Sequence, residues 1–155
     1  LLNIYGPHSQ VGKEHFWEMV SNMVNSFSRS WMAIGGFNSI SNKGEKKGGL
    51  KVWEKSKSSF RNCVFDSGAV DYGFNGNIFT WSNRREGLVN IKERLDCAVC
   101  NQEWQYMYLK AGVMHLVSSS SDHIPILLDT HLEIEARSKP FCFEAMWTRM
   151  IQVQM

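Results

Sequence analysis

No apolar run in the sequence approaches the ~20 residues that a membrane-spanning helix needs, so no membrane partner is expected. Neither sign of charge prevails. The 17 Lys and Arg oppose 15 Asp and Glu, a net charge of +2, so a polyanionic partner has to be argued from local clusters. Cysteine is sparse, with Cys63, Cys97, Cys100 and Cys142, and no second Cys-x-x-Cys pair completes a four-ligand zinc site around Cys97 and Cys100. Those two also sit three apart in a strand-like apolar segment, where they face opposite sides. With no secretory leader pattern in view, the thiols are expected to be reduced, without disulfide partners, in an intracellular protein. No internal repeat is visible. What the 155 residues do contain is a globular balance of 43% hydrophobic and 21% charged residues, with six Trp and nine Phe to anchor a core. That composition excludes a disordered tail, and the length suits one domain.

Strands and helices are mixed along the chain. A strand is expected over 1–5, ending at Gly6-Pro7. Over 13–27, Phe16, Val20, Met23 and Phe27 recur at spacings of three and four with Trp17 and Val24 beside them, the stripe of an amphipathic helix that packs on a sheet. Glu14 and Glu18 fall on its outer side. Residues 31–34 read as a short buried strand and 35–38 as the tight turn at its end. A Ser-, Gly- and Lys-rich stretch over 41–57 reads as a mobile basic loop, and 58–65 as a short helix with Gly68 as its stop. Residues 69–72 and 78–81 flank a Gly- and Asn-rich turn and read as a β-hairpin. A turn over 83–87 leads into a strand over 91–100, Asn101 caps a short helix through Trp104, 112–117 is a further strand, and the last strand follows Pro125. This mixture predicts a layered α/β fold with helices covering sheets. The pattern loosens after Leu128, so the domain is expected over 1–130, with 131–155 as tail or linker.

The chemistry concentrates at residues 118–128, where four serines stop at Asp122-His123 and turn into an apolar strand. Neighbours on a flat strand face opposite sides, so both side chains can serve one pocket only if the backbone bends there. Two readings stand: an active-site rim, or a surface loop whose Asp and His are solvated. Asp96 is a second signal, because an acid between Leu95 and the apolar 97–100 run is costly to bury unless something pairs with it. The basic residues pose a similar choice. Lys46 and Lys47 in the 41–57 stretch, and Arg84-Arg85 in the 83–87 turn, either contact phosphates or belong to ordinary solvated segments.

Five ordered motifs resemble those of the endonuclease/exonuclease/phosphatase superfamily, and more narrowly the apurinic-type endonuclease domain of plant LINE-like non-LTR retrotransposons. Ile4-Tyr5-Gly6-Pro7 is similar to the family's strand-end Tyr motif, and Ile34-Gly35-Gly36-Phe37-Asn38 to its Gly-Asp-Phe-Asn motif. Phe79-Thr80-Trp81-Ser82-Asn83, Glu93-Arg94-Leu95-Asp96 and Ser121-Asp122-His123 complete the set, and residues 141–147 resemble the segment that follows the domain in such elements. Each motif is weak alone; their order over nearly the whole chain makes the resemblance specific. It implies a DNase-I-like layered β-sandwich flanked by helices, Mg²⁺-dependent cleavage of phosphodiesters in DNA, and a nuclear location. It further implies that Asp122 helps hold the metal, His123 contacts the scissile phosphate, Asp96 orients and charges His123, Asn38 positions the nucleophile or phosphate, and Tyr5 donates to a phosphate oxygen. The chemistry is coherent, since carboxylate oxygens suit a hard cation and a His held by a carboxylate stays aimed at an anionic transition state.

Two departures from the family pattern bear on activity. Gly36 stands where the family has an Asp that orients or activates the attacking water, and losing a positioned base lowers rates by about 10² to 10⁴. The upstream part of the family domain, with an Asn and a metal-binding Glu, is not matched. The expectation is therefore the C-terminal part of the fold, with weak Mg²⁺ binding, little catalysis, and a sheet whose inner apolar face lacks its partner. The alternatives are an active Mg²⁺-dependent phosphodiesterase or phosphatase, and a non-catalytic nucleic-acid-binding module.

Overall fold

The structure, a computed structural model, describes residues 1–50, 55–118 and 120–132. Strand β1 (Leu2–Tyr5) runs into helix α1 (Gln10–Asn25), and the chain returns parallel to β1 as β2 (Met32–Gly36). Ser9 caps α1, its Oγ accepting the Gly12 N–H at 3.3 Å, so the helix starts ahead of the apolar stripe. Trp17, Val20 and Val24 are its buried residues, whereas Met23 and Phe27 are exposed. The stripe is thus turned slightly from the expected one, towards the large Trp17 ring that fills the space under the sheet. Glu14 and Glu18 are exposed as expected.

The short strand β4 (Val70–Asp71) and β8 (Asp96–Cys100) complete the first sheet, in the order β1-β2-β8-β4. Alternation sorts its two faces. Ile4, Ala33, Cys97 and Val99 join Trp17, Phe37 and Phe60 in one core under α1 and α2 (Lys55–Asp66), while Met32, Ala98 and Cys100 belong to a second core on the opposite side. Cys97 and Cys100 therefore cannot share a ligand. Together with Cys63 they are free thiols, and Cys142 lies outside the described residues.

The second face is not bare, which corrects the expectation of an unpartnered sheet. Strands β5 (Asn75–Gly76), β9 (Gly112–His115) and β10 (Ile126–Asp129) form a three-stranded sheet in the order β10-β9-β5. Its Val113 and Leu128 share the second core with Met32, Ala98 and Cys100, and Trp104 of α3 (Gln102–Met107) fills the rest. The chain folds its own later strands back as the covering layer. Asn101 caps α3 as expected, its Oδ1 accepting the N–H groups of Trp104 and Trp31.

Residues 69–81 do not form a hairpin. β4 pairs with β8, β5 crosses to run parallel to β9, and β6 (Trp81–Ser82) pairs with β7 (Lys92–Glu93) in a third small sheet. Gly76, which suggested a tight turn, instead lets β5 lie close against β9: a Cβ there would lie 2.6 Å from the carbonyl oxygen of His115, its register partner. The expected strand over 91–100 is likewise two strands in two sheets. The chain changes sheet at Arg94-Leu95, where the Leu95 carbonyl accepts the N–H groups of Phe37 and Asn38 and the Arg94 N–H donates to the Glu45 carbonyl.

The first part of the expected basic loop is shaped rather than loose. Asn42 and Glu45 form a capping box around a 3₁₀ turn, Lys43–Glu45, and β3 (Lys46–Lys47) pairs with β7. Glu45 is buried and takes a hydrogen bond from Arg94 Nη1 at 3.0 Å and one from the Ser41 hydroxyl at 2.8 Å. Residues 51–54 and 133–155 lie outside the described residues, and α2 begins at Lys55, earlier than the pattern implied. The fold is mixed α/β, with three helices and three sheets among the described residues. No described helix is long and apolar enough to cross a membrane.

Candidate active site

Three strands of the first sheet end together. Tyr5 of β1 is in register with Gly36 of β2, and Gly36 with Asp96 at the start of β8. The Asp96 carboxylate then reaches across to the 121–125 segment, where Oδ2 accepts a hydrogen bond from His123 Nδ1 at 2.8 Å. The two side chains are 14% and 36% exposed, so the pair is half-sheltered and open on the histidine side. An ionised carboxylate only accepts; Nδ1 must carry the proton, which leaves Nε2 for an incoming group. An acid inside an apolar strand called for a partner, and His123 is that partner.

The chain bends at Asp122, as a shared rim requires, yet Asp122 and His123 take different partners. His123 bridges to Trp81 of β6 through the backbone, and the Asp122 Oδ2 accepts the Trp81 indole N–H at 3.0 Å. That hydrogen bond holds the exposed Asp122 carboxyl below the usual carboxylate range, and His123 next to it adds in the same direction. Asp122 is thus ionised and accessible, with one oxygen engaged.

Asn38 adopts a φ of 50°, in the left-handed region that Asn tolerates. It is buried, its Nδ2 donates to the Gly6 carbonyl at 2.6 Å, and its own N–H donates to the Leu95 carbonyl at 3.1 Å. Asn38 therefore ties the ends of β1 and β2 to the chain entering β8, directly behind Asp96. The Tyr5 ring is 75% exposed and its hydroxyl lies 3.4 Å from His8 Nε2. A Cβ built on Gly36 would meet Asp96 Oδ1 at 3.2 Å and Tyr5 Cδ2 at 3.4 Å, so position 36 opens on the same space as both.

The basic residues are dispersed by comparison. Lys46 is ion-paired with Glu93, and Lys47 lies opposite Lys92 on the other face of that small sheet. Arg84 donates from its guanidinium to the Ser121 carbonyl and so tethers its turn to the Asp122 segment, while Arg85 is exposed beside it. Among the described residues no group of three or more His, Cys, Asp or Glu gathers around a common point for a metal. Mg²⁺ does not require such a cage, since it binds through one or two carboxylates with waters and substrate phosphates. Asp122 suits that role as a single ligand.

A scan against protein-family models finds no match for the chain, and a search of the curated proteins finds none either.

Two contributors escaped the sequence reading. Thr80 is fully buried, and its hydroxyl accepts the N–H groups of Leu95 and Asp96 at 2.9 Å each. In the sequence it was marked only by its place in the 79–83 motif, which gave it no role. Arg94 is the other. Burial works against its charge, but hydrogen bonds to Asp71 and the nearby carboxylates outweigh that and keep it firmly protonated. Its guanidinium lies 4.7 Å from the centre of the Phe74 ring, which stacks on His115 with centroids 4.2 Å apart. Its partners Glu45 and Asp71 lie far from it in sequence, so no local pattern marked it.

Proposed function

We propose that the chain carries the C-terminal motifs of a DNase-I-like endonuclease/exonuclease/phosphatase domain of the plant LINE-like retrotransposon type, keeping the phosphate-engaging part of a phosphodiester-cleaving site with impaired catalysis. The observation that carries this reading is the Asp96–His123 hydrogen bond at 2.8 Å, set at the sheet end where Tyr5 and Gly36 lie in register. Two sheets packed face to face, with α1 and α2 on the outer side of one of them, support the same fold reading.

In this reading His123 presents Nε2 to a phosphate oxygen, and Asp96 fixes the ring so that it faces an anionic transition state. Tyr5 offers a second donor to the phosphate from its exposed hydroxyl. Asn38, buried behind the site, holds the turn that aligns them, and its Nδ2 is already given to Gly6. Asp122 would hold Mg²⁺, which when bound would neutralise phosphate charge. Gly36 supplies no group to orient or activate water, and Asp122 is a lone carboxylate, so turnover is slow.

Supercoiled or abasic DNA with Mg²⁺ tests this. Nicking is expected near background, and DNA binding, read by fluorescence anisotropy, is expected to weaken with His123→Ala more than with Arg85→Ala. Robust nicking that survives His123→Ala would sink the reading. Binding without cleavage has one observation in its favour: Lys47 and Lys92 are directly opposite on one face, a like-charged pair that an anionic backbone would relieve. For that alternative, affinity would follow Lys47 and Lys92 and ignore His123.

A further inference from the structure

We propose that Thr80 is the positioning residue that assembles the Asp96–His123 pair, holding the aspartate through its hydroxyl and the histidine segment through its carbonyl. It has the reach to do both. The Thr80 Oγ1 accepts from Leu95 N–H and Asp96 N–H at 2.9 Å each, and the Thr80 carbonyl accepts from Ile124 N–H at 2.8 Å. Its own N–H donates to the Glu93 carbonyl at 3.0 Å, which anchors Thr80 to β7. One fully buried residue thus bonds to the chain on either side of the β7–β8 junction and to the residue following His123.

The backbone explains why a hydroxyl is needed there. In a regular strand successive N–H groups point in opposite directions, towards different neighbours. At Leu95 and Asp96 two consecutive N–H groups converge on one oxygen, so the chain is kinked where it leaves β7 for β8. A ladder partner cannot satisfy both donors, but a hydroxyl oxygen with two lone pairs can. The kink sets the direction of the Asp96 side chain as it enters β8, and the Thr80 carbonyl sets the height of the segment that presents His123. Serine preserves this arrangement. Valine keeps the shape and leaves two buried N–H groups empty, which the chain escapes by relaxing the kink.

The inference rests on the Asp96–His123 pair of the proposed function but not on cleavage, and its test needs no activity. Nitrogen NMR of the His123 ring, at a pH where the ring is neutral, reports which nitrogen bears the proton. The wild-type chain and Thr80→Ser are expected in the Nδ1–H form, whereas Thr80→Val is expected to lose it and match Asp96→Ala. A folded Thr80→Val protein that keeps the Nδ1–H form would overturn the role of the hydroxyl. Should the valine variant fail to fold, Thr80→Ser decides: loss of the Nδ1–H form despite a retained hydroxyl overturns the proposal, and its retention supports it. A wild-type ring in the Nε2–H form would refute the pair itself, while DNA binding that ignores His123 in a protein that keeps the Nδ1–H form leaves Thr80 in place and counts only against the proposed function.

Discussion

Arg94→Met should be among the most damaging single changes available in this fold, and the structure says why. Arg94 donates to Glu45 at 3.0 Å and, through two nitrogens, to Asp71. The two acids are not equivalent: the Glu45 side chain is 5% exposed and that of Asp71 is 42% exposed. Methionine retains an apolar stem against Phe74 but leaves Glu45 as a buried charge with, among the described residues, only Ser41 and Asn42 as donors. Breaking a buried pair from one side costs about 3–5 kcal/mol. The Asp71 arm is half-solvated, so Asp71→Asn should cost no more than about 1 kcal/mol. Against a domain stability of roughly 5–15 kcal/mol, the arginine change alone removes a large share. Urea unfolding followed by Trp fluorescence measures both variants. Adding Glu45→Met to Arg94→Met should return much of the loss, because the pair's desolvation cost then disappears with it. A loss below about 1 kcal/mol for Arg94→Met, or an equal loss for Asp71→Asn, would refute the assignment of the energy to the Glu45 arm.

His115 should make the protein acid-sensitive. Burial pushes its pKa down, Arg94 nearby adds to this, and its Nδ1 is bonded to the Asn77 carbonyl, with Nε2 buried and without a hydrogen-bond partner among the described residues. The unfolded chain therefore takes the proton more readily, so the contribution of neutral His115 is complete above about pH 6.5 and fades as the pH falls below it. Between pH 7 and pH 5 the wild type should lose stability faster than His115→Phe, and parallel urea curves would speak against this. Trp81→Phe removes the indole donor that holds the Asp122 carboxyl low, so carbon NMR should find that carboxyl titrating at higher pH; an unchanged titration would assign the shift to another cause. Gly36→Asp alone should not produce Mg²⁺-dependent nicking, because in the proposed reading Asp122 would still be the one carboxylate assigned to the metal. A strong rate in that variant would show that a single added acid completes the site.

Sequence alone determined the local features, because their causes are local. The amphipathic run of α1, the Asn101 cap of α3, the strand that follows Pro125, and the need of Asp96 for a partner all follow from spacing, side-chain chemistry and the cost of burying charge. The pairing of Asp96 with His123 was legible as a consequence of that cost together with the motif resemblance. Only the tertiary structure decided which sheet each strand joins. Alternation says that a residue faces in or out but not which neighbour it meets, so 69–81 read as a hairpin and 91–100 as one strand, while the chain distributes them among three sheets. The same limit hid Arg94, whose partners Glu45 and Asp71 are distant in sequence, and it hid Thr80. A hydroxyl that accepts two backbone N–H groups from another strand has no local signature, since its partners exist only after the chain has kinked between β7 and β8. The residue types of the site are therefore written in the sequence, and their convergence is a product of long-range strand pairing.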